Sequence, residues 1–417
     1  MKERALLVTL DFDSMWRSSN AEDTAQELHE LSLSAGLSVA ENRIFRQKIP
    51  IASLLIGRGK AEELRSIVLG EKIDVVIFDN ELSPSQQRNL EETLGVKTLD
   101  RTQLILDIFA QRARSNEGKL QVELAQLKYL LPRLAGKGIA LSRLGGGVGT
   151  RGPGEQKLEI DRRRIRERIA RLTRELRVLQ EGRALNIHKK KEKGFPLVAL
   201  VGYTNAGKST LFNRLTASDV MTKDVLFSTL DTTTRLLKLP QGRKMLLADT
   251  VGFVRNLPHQ LIESFKATLE EAVNADVLLH VMDASRPDFK DLKNAVEKVL
   301  KELEVESKKI VLVLNKTDLI SEGHRDTLIR EHWKDALPVS AKTGEGVTAL
   351  LARLVQSCAD TRSTHQIWVP KDSFGNIGFL YEEGEVLSRI DAVDGAMFLV
   401  SLSENIKNRF IARLKKV

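Results

Sequence analysis

The chain of 417 residues is long enough for about two to four domains with cores of their own, and its single cysteine, Cys358, excludes a disulfide framework. No run approaches the ~20 apolar residues of a membrane span, and MKERALLVTLDFD at the amino terminus lacks the apolar centre of a secretory signal, so a reducing, cytoplasmic setting is expected. The net charge of +9 is unevenly spread: residues 112–193 hold 22 Lys and Arg against 9 Asp and Glu, a net of +13 that leaves −4 elsewhere, which assigns any polyanion-binding role to that segment.

From the amino terminus, strand and helix patterns alternate. Strands are expected at 5–10, 54–56, 74–78 and 97–99, and helices at 21–35, 61–69, 84–94 and 103–112. This alternation predicts an N-terminal α/β domain, 1–112, with a mainly parallel sheet. Gly57-Arg58-Gly59-Lys60 superficially resembles a phosphate loop but lacks the required spacing, and is read as a tight turn capping the next helix.

Beyond Arg112 the texture changes. Leu120, Leu124, Leu127, Leu131 and Leu134 recur at alternating steps of four and three, as do Ile165, Ile169, Leu172, Leu176 and Leu179. Two such stripes facing each other predict an antiparallel helical hairpin over 113–190. Its tip, 136–154, has eight glycines in nineteen residues, interspersed with Lys137, Leu141, Arg143, Leu144 and Arg151. So glycine-rich a loop buries no core; it is either a flexible linker or an RNA-probing loop, and the arginines at the tip of a rigid arm favour the second. Arg162, Arg163, Arg164, Arg166, Arg168, Arg171, Arg174 and Arg177 follow on one helix. A solvated face with pairs such as Glu167 to Arg171 explains some of them, and the excess suits a phosphate backbone.

After a charged hinge, KKKEKG at 189–194, strands are expected at 197–201, 236–239, 245–248, 277–282, 310–314 and 337–339, forming a doubly wound sheet within a domain at 195–360. The first strand runs into G-x-x-x-x-G-K-S: Gly202, Tyr203, Thr204, Asn205, Ala206, Gly207, Lys208 and Ser209, followed by Thr210. Backbone N–H groups cradle phosphate oxygens only where no Cβ intrudes, hence the two glycines. Lys208 reaches the β- and γ-phosphates, Ser209 offers its hydroxyl to Mg²⁺, and the helix opening there turns its positive end to the anion. This is a P-loop for a nucleotide phosphate.

Three further motifs select the base, each at the end of an apolar strand. Asp249-Thr250-Val251-Gly252 places Asp249 beside Mg²⁺ and the Gly252 N–H at the γ-phosphate. In Asn315-Lys316-Thr317-Asp318 the Asp318 carboxylate accepts from N1–H and the exocyclic amine of guanine, a pattern adenine lacks, while Asn315 and the stem of Lys316 brace loop and base. Ser340-Ala341-Lys342 supplies backbone N–H to guanine O6. A GTPase is implied rather than an ATPase. Phe253 stands where many regulatory GTPases carry a water-orienting glutamine, so slow intrinsic hydrolysis is expected, with His259 the nearest titratable side chain. Asn205 either helps bind K⁺ beside the phosphates or merely stabilises the turn. The threonine that completes the Mg²⁺ shell lies within FSTLDTTT at 227–234, where Thr232 to Thr234 are candidates beside Thr229.

The P-loop with its asparagine, FSTLD, DTVGF, NKTD and SAK, together with LGGGVGTRGPGEQKLEIDRR upstream, resembles the HflX family of translational GTPases over essentially the whole chain. The glycine-rich run joined to the arginine-rich helix is the family-specific part. The resemblance implies that Phe227, Ser228, Thr229, Leu230 and Asp231 form the mobile switch, with Thr229 as the Mg²⁺ ligand alongside Ser209 and Asp249. It also implies binding to the large ribosomal subunit and its rRNA, with the tip loop directed at the peptidyl-transferase centre and ribosomes split under stress. GTP and GDP are the expected ligands and a monomer the expected state. The last part, 364–417, reads as a small α/β domain with a strand at 367–370, a helix near 378–387, a strand at 397–401 and a helix reaching 415. It shows no evident chemistry, and the chain's seven histidines show no metal-ligand spacing. Two functions are carried forward: a GTP-hydrolysing switch on ribosomal RNA, and an RNA-binding occupancy or assembly factor in which turnover is incidental.

Overall fold

The computed structural model describes residues 2–12, 20–134, 153–192, 195–217, 226–227, 232–239, 244–255, 269–321, 323, 335–359, 363–402 and 404–414. Strand β1 (Arg4–Phe12), an almost wholly buried run, is flanked by β2 (Ser38–Gln47) and β3 (Val75–Phe78), and β4 (Lys97–Asp100) completes a parallel sheet of order β2-β1-β3-β4. Helices α1 (Ala21–Ser34) and α4 (Arg101–Arg112) cover one face, and α2 (Arg58–Glu71) and α3 (Pro84–Leu94) the other. The ends of α3 follow from local chemistry: Ser83 and Gln86 cap each other reciprocally, Pro84 opens the first turn, and Gly95 closes the helix at φ 75°.

Two expectations need correcting here. No strand forms at 54–56, where Leu55 makes only an isolated bridge to Ile51, and the edge strand is instead β2. That strand reads SVAENRIFRQ and fully buries only Phe45, so it lacks the apolar signal that marks an interior strand. Gly57-Arg58-Gly59-Lys60 does cap a helix, with Gly57 as the N-cap of α2.

Helices α5 (Asn116–Arg133) and α6 (Pro153–Glu192) form the hairpin, with Leu124 packed against Leu172 and Leu176, and Leu120, Leu127 and Ile169 around them. Arg168 grips Glu123 with two hydrogen bonds of 2.7 and 2.8 Å across the pair. The stripes meet only over their middle, since Leu179 is exposed. Glu167 pairs with Arg163 at 3.0 Å rather than with Arg171. Helix α5 is also rooted in the N-terminal core through Val122, Ala125 and Tyr129, and Arg133 donates to the Leu82 carbonyl at 2.7 Å. Most of the tip loop, 135–152, lies outside the described residues.

The second sheet has the order β10-β9-β8-β5-β7-β6, built from β5 (Leu197–Gly202), β6 (Thr233–Lys238), β7 (Lys244–Asp249), β8 (Val277–Asp283), β9 (Lys309–Asn315) and β10 (Leu337–Pro338). All neighbours are parallel except the edge strand β6. Helices α7 (Lys208–Thr216) and α10 (Val347–Ala359) cover one face, and α8 (Glu270–Asn274) and α9 (Phe289–Glu302) the other. The second face continues into the N-terminal region, so that one apolar cluster runs from Leu28 and Phe109 to Val201 and Val254.

The carboxyl-terminal unit is an antiparallel sheet, β11-β13-β12, of β11 (Ser363–Pro370), β12 (Glu385–Ala392) and β13 (Gly395–Leu402), with α11 (Ile377–Glu383) and α12 (Glu404–Leu414). The helix expected near 378–387 ends at Glu383, and 385–387 belongs to β12. Gly384 permits the break because a Cβ there would stand 2.3 Å from the Leu402 side chain. The mostly exposed β12, EVLSRIDA, carries no buried alternation to announce it.

Candidate guanine-nucleotide site

Strand β5 delivers the chain to the carboxyl edge of the second sheet and ends at Gly202, where φ is +152° and an added Cβ would lie 2.2 Å from the Val281 carbonyl oxygen. Gly207 closes the loop at φ +89°, with an added Cβ only 2.2 Å from Asn315 Nδ2. Only glycine fits either place. Lys208 opens α7, and its Nζ donates to the carbonyls of Gly202 at 3.1 Å and Tyr203 at 2.8 Å. Burial pushes its ammonium down to about 8, a fall that nearby Asp249 only partly offsets. A buried cation held at a helix amino terminus is primed for an anion.

Asp249 ends β7 in register with Leu200 of β5, and is fully buried. Ser209 follows Lys208 on α7 at 8% exposure. A hydroxyl and a carboxylate at this edge are the hard oxygen donors that Mg²⁺ prefers, so these residues fit that ion. The Thr250 hydroxyl donates to the Leu200 carbonyl at 2.6 Å and pins the following turn. Val251 is buried, and Gly252 comes so near the P-loop that an added Cβ would lie 2.7 Å from Thr204 Cγ2 and 2.9 Å from Lys208 Nζ. Phe253 pairs its backbone with the P-loop, donating to Gly202 O at 3.1 Å and accepting from Thr204 N–H at 2.8 Å, while its ring is buried.

The base side is held by Asn315. Its Nδ2 donates to the Ala206 carbonyl at 2.8 Å and its Oδ1 accepts from Ala341 N–H at 3.0 Å, so one side chain ties the P-loop to the Ser340–Lys342 loop. Lys316, in the left-handed region at φ 64°, pairs with Asp283 at 2.7 Å. Asp318 accepts from the Ser340 hydroxyl at 2.6 Å, and that hydroxyl accepts from Thr343 N–H at 3.1 Å. Ser340 therefore orients Asp318 as well as leading the loop, a role its motif does not announce. Arg214 of α7 donates to the Ala341 carbonyl at 3.1 Å and also to that of Lys342. Neither Arg214 nor Asp283 was singled out from the sequence, because each reaches the site from an element outside the motifs. Thr317 is buried beneath the loop, and Thr210 is half-buried on α7.

Asn205 sits exposed on the P-loop at φ 60°, a conformation asparagine tolerates better than most residues. Phe227 is buried in the shared core, its ring edge-to-face with Phe109 at 4.5 Å. Ser228, Thr229, Leu230, Asp231 and His259 lie outside the described residues. Of the other threonine candidates, Thr232 donates to Glu271 at 3.0 Å, and Thr233 and Thr234 belong to β6.

Four family descriptions match successive parts of the chain: "GTP-binding GTPase N-terminal" over 22–110, "GTP-binding GTPase Middle Region" over 112–190, "50S ribosome-binding GTPase" over 197–316 and "HflX C-terminal domain" over 327–414. The GTPase HflX of Caldanaerobacter subterraneus subsp. tengcongensis is 45% identical over 412 residues, covering 98% of this chain and 93% of that protein. The GTPase HflX of Escherichia coli K12 is 42% identical over 369 residues, covering 88% and 86%. Among solved structures, a GTP-binding protein from the archaeon Sulfolobus solfataricus in complex with GDP is 26% identical, with a TM-score of 0.44 over 86% of this chain and 99% of that one.

Proposed function

The chain belongs to the HflX family of GTPases, and we propose that it uses GTP hydrolysis as a switch governing its hold on the large ribosomal subunit, splitting or rescuing ribosomes under stress. The observation that carries this reading is the arm. Arg163, Arg164, Arg166, Arg171, Arg174 and Arg177 are exposed along α6. Several have carboxylate partners, such as Arg163 with Glu167 and Arg177 with Glu181 at 3.0 Å, but exposed pairs of this kind contribute little and yield readily to phosphate.

At the nucleotide we assign the loop from Gly202 to Thr210 to the phosphates, Ser209, Asp249 and Thr229 to Mg²⁺, and Asp318 with the Ser340–Lys342 loop to guanine. When bound, Mg²⁺ neutralises charge on the β- and γ-phosphates. Lys208 shares that task, and Gly252 N–H senses the γ-phosphate. Phe253 has no group to hold the attacking water, and Asn205, exposed at the loop crest, is assigned to K⁺.

GTP turnover measured with and without purified large subunits tests the switch, in K⁺ and in Na⁺ buffers of equal ionic strength, for the unaltered chain and Asn205→Ala. Strong stimulation by the subunit, greater in K⁺ and lost in Asn205→Ala, is expected. Binding without stimulation identifies an occupancy or assembly factor instead, and indifference to the cation in both proteins removes the K⁺ assignment. Neutralising Arg162, Arg163 and Arg164 together should flatten the salt dependence of subunit binding by about two in log–log slope.

A further inference from the structure

Open α/β sheets ordinarily take ligands at the carboxyl ends of their strands. In the N-terminal sheet that edge is filled. Asp79 follows β3, Arg101 follows β4, and Glu27 projects from α1; Arg101, only 2% exposed, stands 2.6 Å from Asp79 and 2.8 Å from Glu27. Into this cluster come two groups from the nucleotide sheet. The Tyr203 hydroxyl donates to Glu27 Oε1 at 2.5 Å and accepts from the backbone N–H of Arg255 at 2.7 Å, and that N–H also lies 3.3 Å from Glu27 Oε1. The Arg255 guanidinium is held by Asp288 at 2.7 Å, with Asp23 of α1 at 3.8 Å. Glu27, Tyr203 and Arg255 are each at most 5% exposed.

Besides Arg101, the two other partners of Glu27 lie next to residues assigned to the phosphates. The Tyr203 carbonyl accepts from Lys208 Nζ, and its backbone bridges to Phe253. Arg255 stands three residues beyond Gly252, on the segment zippered to the P-loop. We infer that Glu27 is a positioning residue for GTP hydrolysis, acting through Tyr203 and Arg255 to fix the Gly252 segment against the P-loop, although it stands on α1 of the N-terminal region. Burial and the Glu27 carboxylate raise the Tyr203 phenol well above its ordinary range, so it stays protonated and can donate to Glu27 while accepting from Arg255.

The test is intrinsic GTP hydrolysis by the full chain without ribosomes, under single turnover and at steady state, which separates it from the ribosome-dependent reading above. Tyr203→Phe keeps the ring and removes only the hydroxyl. It should lower kcat roughly tenfold, the scale of one hydrogen bond to a charged group, with KM for GTP changed less than about twofold. Glu27→Ala should match it, Glu27→Gln should restore most of the rate by keeping an oxygen acceptor, and the double variant Glu27→Ala/Tyr203→Phe should be no slower than either single one, because the residues act as a unit. An unchanged kcat in Tyr203→Phe, a change confined to KM, or multiplying losses in the double variant overturns the proposal. Should Glu27→Ala fail to fold for want of a counter-charge to Arg101, Tyr203→Phe and Glu27→Gln decide it: a loss in the first and near-full rate in the second support it, and equal rates overturn it.

Discussion

The two parallel-stranded regions share a construction rule and differ at their carboxyl edges. In the N-terminal sheet the buried cation is compensated in charge: burial works against the Arg101 charge, yet Glu27 and Asp79 more than offset it and hold the guanidinium above its ordinary value. In the nucleotide sheet the buried cation has hydrogen-bond partners but less charge compensation, since burial outweighs Asp249 and Lys208 is pushed down to about 8. The first edge is closed by its own carboxylates and by Tyr203. The second is lined by glycine backbone and the Lys208 ammonium. Topology offers a crevice at each sheet, and the two crevices differ in their local charge balance.

The contrast breaks most sharply at Gly207. Gly207→Ala places a Cβ 2.2 Å from Asn315 Nδ2 at φ +89°, and should weaken GTP binding about 100-fold or more by equilibrium titration. Retained affinity would mean that the loop does not need this close approach. Next in size is Asp318→Asn, which removes the acceptor for both guanine donors. GTP affinity should fall roughly 10- to 100-fold while XTP, with a carbonyl in place of the amine, gains; full GTP affinity with no gain for XTP would contradict the base assignment.

Folding lowers Lys208 from an ordinary 10.5 to about 8, so its neutral form is favoured relative to the unfolded chain and stability from this group rises with pH from about 8 to 10.5. Bound phosphate favours the ammonium. Nucleotide binding should therefore take up protons above pH 8, with affinity falling up to about tenfold per pH unit there. Calorimetry in two buffers of different ionisation enthalpy measures the uptake, and a value of zero at pH 9 would refute the mechanism. The smallest effect belongs to the loop that only looks like a phosphate cradle. An added Cβ at Gly59 meets nothing within 4 Å, so Gly59→Ala should leave nucleotide binding untouched and stabilise the fold by about 0.5 kcal/mol in denaturant melts.

Much of the architecture was legible because it is written in short-range pattern. Helix α3, expected at 84–94, forms at those bounds, and the interior strands of the nucleotide sheet follow their apolar runs. What escaped was exposed or edge structure. The β2 strand alternates only between exposed and half-buried positions and β12 is almost wholly exposed, so neither carries an apolar signal, and the expected helix near 378–387 ran on past Gly384 because nothing local revealed how closely Leu402 approaches. In the site, the P-loop and the Asn315–Asp318 motif could be read as chemistry. The bracing by Arg214 and Asp283, and the turning of Phe227 toward Phe109, could not.

The sequence alone pointed to a guanine nucleotide at one sheet edge, because each group of its motifs is set by spacing within a few residues, where backbone geometry leaves little choice. Only the tertiary structure decided what that edge is built against. Tyr203 and Glu27 are 176 residues apart, and their hydrogen bond exists because two separately encoded sheets bury a common apolar face, which brings a P-loop hydroxyl to a carboxylate that no local pattern links to it.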